Sequence, residues 1–187
     1  MKVIDTKLKG LRIIEQDVYR DHRGVFVESY SAAKFSDHQI DYCFVQDNCS
    51  LSVKGGVVRG LHYQLNPKAQ TKLVYVVSGE IYDVAVDIRK NSPTYGQWVG
   101  VILSDTNHKQ LLIPKGFAHG YCTLAPNTVV VYKVDEVYSP EHERGIYWND
   151  PALGINWPVK EPILSEKDQL APLLGKSETN FIFSVEE

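Results

Sequence analysis

Wherever the apolar and polar positions of this chain show a period, the period is two. In "IYDVAVDIR", Tyr82, Val84, Val86 and Ile88 share one face, while Asp83, Ala85, Asp87 and Arg89 share the other. "KLVYVV" precedes this run, and the "SGE" between them predicts a hairpin with Gly79 in its turn. Further short runs follow in "QWVGVIL", "HKQLLIP", "GYCTL" and "TVVVYKVDEVY", separated by turn residues such as "NSPTYG", "SDTN" and "APN". Strand after strand with little helical periodicity predicts an all-β sandwich or barrel rather than alternating strands and helices. One short helix is predicted at "SAAKFSDHQ", with Ser31 as its N-cap. From residue 139 the alternation is lost, and Pro, Trp and charged residues dominate. Trp148 and Trp157 lie there and need burial, so this stretch is predicted to pack over the barrel and to help complete a site.

At 187 residues the chain has the length of one domain, predicted to span 1–187. Hydrophobic residues make up 43% and charged residues 23%, an ordinary balance for a globular protein. A net charge of −3 gives no reason to expect nucleic acid or an anionic membrane as partner. Basic residues that hold a phosphorylated ligand must therefore be gathered locally. No stretch approaches the ~18 consecutive apolar residues of a membrane span, and "MKVIDTKLKGLRII" carries no apolar run of the signal-peptide kind. Cys43, Cys49 and Cys122 are odd in number and form no C-x-x-C pair, which fits free thiols in a reducing compartment. A cytoplasmic protein is expected.

Two histidines raise the question of chemistry. A metal site on facing strands wants three or four ligands, often paired as H-x-H. Two residues after His62 stands Gln64, a poor ligand, and His119 has no acidic partner close in sequence. The metal reading is therefore weak. The alternative is acid–base chemistry next to a carbonyl, which needs a base, a cation facing the developing oxyanion, and an acid. His62, Lys72 and Tyr132 each lie near a strand and can fill those roles. Six histidines and eleven tyrosines leave that choice open on composition alone.

Seven segments narrow it: "DHRGVFVE" (21–28), "VQDNCSLS" (45–52), "VVRGLHYQ" (57–64), "QTKLV" (70–74), "IPKGFAHGY" (113–121), "YKVDEVYSPEHERGIYWNDP" (132–151) and "ILSEKD" (163–168). In this order they resemble the dTDP-4-dehydrorhamnose 3,5-epimerase family over nearly the whole chain. The resemblance implies a cupin-type jelly-roll barrel, usually a homodimer, with neither metal nor nucleotide cofactor. Its implied substrate is dTDP-4-dehydro-6-deoxy-D-glucose, inverted at C3 and C5. By position, His62 is implied as the base, Asp168 as the carboxylate that orients it, Lys72 as the residue facing the enolate oxygen, and Tyr132 as the acid. Tyr138 is implied to stack on thymine. Arg23, Phe26, Glu28, Gln46, Asn48 and Arg59 are implied contacts to nucleotide or sugar, as are His119, Glu143 and Lys167. A single-carbon epimerase or ketoisomerase is the nearest rival, followed by a non-catalytic nucleotide-sugar binder and a metal-dependent oxygenase.

The resemblance also bears on the metal. The frame of metal-binding cupins is retained at Gly56, His62, Gly79, Pro114, Gly116 and His119, but Gln64 and Lys72 stand where a histidine and a glutamate would be. A cation in place of an anionic ligand repels a divalent metal. Strand geometry adds three expectations. Tyr132, Val134, Glu136 and Tyr138 share parity, which in one regular strand places the two tyrosines up to ~20 Å apart on one side. Arg59 would face away from His62 in a regular strand, so a bulge or bend is expected at Gly60. Asp83 and Asp87 are alternative partners for His62, or else a solvated strand face, with Asp168 preferred.

Overall fold

Each of the period-two runs named above becomes a strand. The computed structural model describes residues 1–184, so the last three positions of the predicted 1–187 domain lie outside the described residues. The chain forms β1 (Lys2–Asp5), β2 (Arg12–Glu15), β3 (Val18–Asp21), β4 (Gly24–Val27), α1 (Ala32–Ser36), β5 (Gln46–Ser52) and β6 (Val58–Gln64). It continues through β7 (Lys72–Ser78), β8 (Glu80–Asp87), β9 (Trp98–Ser104), β10 (Lys109–Ile113), β11 (Phe117–Thr123), β12 (Thr128–Val134), β13 (Glu143–Gly145) and α2 (Glu166–Gln169). A six-stranded sheet, ordered β1-β2-β10-β7-β12-β5, faces a five-stranded sheet ordered β13-β6-β11-β8-β9, and β3 pairs with β4 alone. Every pairing between these strands is antiparallel. This is the jelly-roll sandwich expected from the sequence.

The predicted hairpin at Gly79 is not one. β7 belongs to the six-stranded sheet and β8 to the five-stranded sheet, so the two are not hydrogen-bonded neighbours. Gly79, at φ +83°, turns the chain from one sheet into the other. β12 ends at Val134, so Glu136 and Tyr138 do not continue it and the parity expectation for the two tyrosines lapses. Ser31 is the N-cap of α1 as predicted, although its hydroxyl makes no capping bond.

The faces of β8 are used in an unexpected sense. Ile81 and Ala85 lie between the sheets with Val74, Val76, Leu111 and Val130, and Asp83 shares their parity. The apolar face, Val84 and Val86, points outward with Leu61, Tyr63 and Ala118, and it is covered by Leu153, Ile155, Leu174 and Phe181. The segment after residue 139 thus packs over the barrel as predicted, supplying a second apolar layer. Trp98 of β9 fastens it by donating to the Leu153 carbonyl at 2.9 Å, and Trp157 ties the segment to itself by donating to the Trp148 carbonyl at 2.8 Å. On the other sheet, Phe35 of α1 and Ile40 cover Ile14, Leu73 and Leu112.

The expected irregularity in β6 is present. His119 stands opposite His62 and Tyr121 opposite Arg59, so Gly60 and Leu61 together face the single residue Gly120. The extra residue switches the parity of β6, and Arg59 and His62 both turn inward to line one cavity. Gly60 has φ +118°, and a Cβ there would stand 2.6 Å from both Gly120 Cα and the His119 carbonyl oxygen. Gly60→Ala is accordingly expected to lower stability by about 2–4 kcal/mol, seen as a lower thermal midpoint. An unchanged midpoint would show that the bulge has room to spare.

Candidate active site

At one end of the sandwich a cavity of about 470 Å³ opens between the sheets. β6 supplies Arg59 and His62, β7 supplies Lys72, β11 supplies His119 and Tyr121, and β12 supplies Tyr132. Its rim comes from far along the chain. Ile163 pairs with Gly56 and Val58 through backbone bonds of 2.9 and 3.0 Å, which lays Ser165, Lys167 and Asp168 against the start of β6. A smaller hollow of about 100 Å³ shares His62, Lys72 and Tyr132 with the first, and adds Gln46, Asn48, Tyr138 and Glu143.

His62 Nε2 lies 2.5 Å from Asp168 Oδ1, with Asp168 buried and the imidazole 29% exposed. Ser165 caps α2, accepting from the Asp168 N–H at 3.2 Å and donating its hydroxyl to Oδ2 at 2.8 Å. Burial alone would raise the Asp168 carboxyl, but the bonds and charge it receives from His62 and Ser165 hold it below the usual carboxylate range. An ionised carboxylate only accepts, so Nε2 carries the shared proton and Nδ1 keeps the lone pair. That leaves a base with its orientation fixed from behind.

Lys72 is 9% exposed, and its ammonium makes no hydrogen bond or ion pair among the described residues. Burial brings it down to about 8, against the opposing influence of Asp83 and Glu143. Burial also raises the Tyr132 phenol, Arg59 pulling the other way, so Tyr132 keeps its proton through neutral pH. An unpaired ammonium thus shares both hollows with an imidazole and a protonated phenol. That set can remove a proton beside a carbonyl, hold the resulting oxyanion and return a proton.

The other predicted positions divide. Tyr138 donates to Glu143 Oε2 at 2.7 Å, Lys167 is ion-paired with Glu143, and Gln46 donates to Asn48 at 2.8 Å. His119 lies on β11, the middle strand of its sheet, and its Nε2 lies 2.7 Å from Asp83 Oδ1. Asp83 therefore partners His119 rather than His62. Asp87 is taken by Arg89, Ser92 and Thr94, so neither aspartate forms a solvated face. Arg23, Phe26 and Glu28 are not brought to this cavity. Arg23 and Phe26 line a separate hollow on the β3–β4 hairpin, Arg23 paired with Asp21, and Glu28 pairs with Lys34. The hairpin shares no strand with either sheet, which is why these side chains stand apart.

Sequence reasoning missed Ser50 and Tyr121, whose hydroxyls meet at 2.7 Å on the cavity wall, and also missed Ser165. Only Ser165 had a readable signal: S-x-x-D before a short helix is a capping spacing. Gln64, at the second histidine position of the metal frame, is fully engaged. It donates to the Lys68 and Val137 carbonyls at 2.6 and 3.2 Å and accepts from the Ser139 N–H at 2.8 Å. Its amide ties down the loop that carries Tyr138.

Comparison with known proteins gives a consistent picture. A family model described as dTDP-4-dehydrorhamnose 3,5-epimerase matches residues 5–176. The Shigella flexneri dTDP-4-dehydrorhamnose 3,5-epimerase is 53% identical, over 90% of this chain and 93% of that protein. A crystal structure of the Bacillus anthracis enzyme of the same name, with TDP and PPi bound, superposes with a TM-score of 0.90 at 55% identity, covering 92% of this chain and 98% of that one. The Legionella pneumophila dTDP-6-deoxy-D-glucose-3,5-epimerase, in complex with dTDP-4-keto-L-rhamnose, gives 0.89 at 50% identity, covering 94% and 93%.

The depressed Asp168 carboxyl has a consequence for acid stability. A folded-state pKa below the unfolded value stabilises the native state above the unfolded pKa, and that contribution is lost as pH falls through the folded value. Thermal midpoints taken as pH is lowered from roughly 5 to 2 are expected to fall less steeply for Asp168→Asn than for wild type. Parallel curves would show that the His62 pairing contributes nothing to folding.

Proposed function

The chain belongs to the dTDP-4-dehydrorhamnose 3,5-epimerase family, and on that premise we propose that it inverts C3 and C5 of dTDP-4-dehydro-6-deoxy-D-glucose. The product is dTDP-4-dehydro-L-rhamnose, on the route to dTDP-L-rhamnose. The observation that carries the reading is the unpaired Lys72 ammonium in a cavity walled by His62 and Tyr132. His62 Nδ1 takes the proton from the carbon beside the C4 ketone, and the electron pair of that C–H bond moves to O4. Lys72 holds the enolate oxygen. Tyr132 delivers its phenolic proton to the opposite face of the carbon, and both groups then exchange protons with water before the second inversion. The ketone is the electron sink, so the chemistry requires no cofactor. The cations Arg59 and Lys167 suit the diphosphate, and Tyr138 a face of the thymine.

The protein acts as a cytoplasmic homodimer in this reading. Arg23, Phe26 and Glu28 lie outside the cavity, on or beside a hairpin that exposes Tyr19, Val25 and Phe26, the last at 67%. Packing that hairpin on a second copy buries these side chains and carries the three residues toward the partner's cavity.

In deuterated water, turnover is expected to place label at both C3 and C5; label at C3 alone would make the protein a single-carbon epimerase. Lys72→Ala should lower kcat about 1,000-fold with KM changed only a few-fold, because the ammonium acts on charge formed in the transition state. The protonated lysine is the working form, so wild-type kcat should decline as pH rises through about 8. A flat alkaline profile would remove Lys72 from the mechanism.

A further inference from the structure

We infer that Asp83 is a positioning residue of this site: through Oδ1 it fixes His119 with Nδ1 as a hydrogen-bond acceptor toward the substrate, and its charge keeps the Lys72 ammonium protonated. This rests on the epimerase reading.

Asp83 sits mid-strand in β8, fully buried on the inward face between Ile81 and Ala85. Its Oδ1 is 2.7 Å from His119 Nε2, while Oδ2 has no partner among the described residues. A carboxylate buried half-unsatisfied is costly, and an apolar side chain would suit that layer better for packing. Across the cavity the six-stranded sheet presents its own unpaired ion, Lys72. The two ions lie beyond ion-pair distance. The ammonium therefore feels the negative field while its protons stay free for the substrate oxygen.

The other charges around Lys72 are already spent on neighbours. From β13, Glu143 is bound by Lys167 and Tyr138; from the α2 region, Asp168 is bound by His62 and Ser165. Arg59 of β6 adds positive charge, and the phenols Tyr121 and Tyr132 stay protonated, both raised chiefly by burial. Asp83, buried behind the cavity wall with one oxygen unpartnered, is among charged groups the one that raises Lys72 most, against the burial that lowers it. The same burial lowers His119 despite Asp83, with Lys72 and His62 adding to the fall, so the ring is neutral at neutral pH. Its one N–H is the Nε2 proton given to Asp83. Nδ1 is left as an acceptor, suited to a sugar hydroxyl and not to a phosphate oxygen.

Two measurements decide the matter. Asp83→Asn keeps the shape and removes the charge. The alkaline limb of kcat is expected to move down by about one pH unit from about 8, so that kcat falls about two-fold at pH 7 and about five-fold at pH 8 and recovers on acidification. His119→Gln, which leaves the Asp83 charge in place, should raise KM with the limb unmoved. A folded Asp83→Asn with the wild-type limb would overturn the charge role. Because that variant can fail to fold, ¹⁵N NMR of ligand-free wild type gives an independent reading. Neutral His119 with its proton on Nε2 across roughly pH 6–8 is expected, and a cationic ring or the Nδ1–H tautomer would overturn the assignment. Wild-type protein that exchanges no deuterium would overturn the epimerase reading instead, and the tautomer, read without substrate, would still decide the place of Asp83.

Discussion

An ammonium held out of water with nothing bonded to it is the constraint around which this molecule is built. Lys72 is 9% exposed and unpaired among the described residues, a state that costs several kcal/mol relative to water. Asp83, Asp168 and His119 add further polar burial around it. The space between the sheets therefore cannot supply all the apolar contact a domain of this size needs. The remainder comes from outside the sandwich. Val84, Val86, Leu61 and Ala118 turn outward and are roofed by Leu153, Ile155, Leu174 and Phe181. The long C-terminal segment is the layer that makes a polar interior tolerable.

That segment does a second thing, and the two are geometrically linked. To cover the five-stranded sheet it must run past β6, and the backbone bonds of Ile163 to Gly56 and Val58 fix where it passes. Two residues after Ile163 the chain reaches the Ser165 cap, which presents Asp168 to His62 across 106 positions of sequence. The carboxylate that orients the imidazole is thus placed by the same packing that offsets the polar cavity. Loss of the apolar roof should loosen the dyad before it unfolds the barrel.

Much of this was legible in the chain, and the failures have definite causes. Period two located the strands, and the conflict between Arg59 and His62 correctly demanded a bulge, because a one-residue slip is the only local way to put both on one face. The same alternation misled about β8. An apolar face is read as inward by default, yet here it faces the C-terminal layer, and the face carrying Asp83 and Ala85 turns in between the sheets, where Asp83 backs His119. The turn at Gly79 resembles that of a hairpin because local sequence records a reversal, whereas whether two strands stay bonded or part into separate sheets is settled by their distant partners, β10 and β12 for one and β9 and β11 for the other. Arg23, Phe26 and Glu28 were found by motif, which carries no information on which cavity a side chain reaches.

The final arrangement sets two histidine–aspartate pairs side by side and gives them different work through environment alone. His62 is 29% exposed, its partner carboxylate stands at the rim, and its free nitrogen can meet both substrate and water. His119 is 7% exposed and backed by the fully buried Asp83, so burial keeps it neutral and its free nitrogen can only accept. A proton carrier must change charge within each cycle and so needs a route to solvent. A recognition group must hold one protonation state while its neighbour cycles, and burial provides that. The cupin frame places both imidazoles opposite each other across β6 and β11. With Lys72 sharing their cavity, the proposed mechanism uses one as a base and the other as a reader.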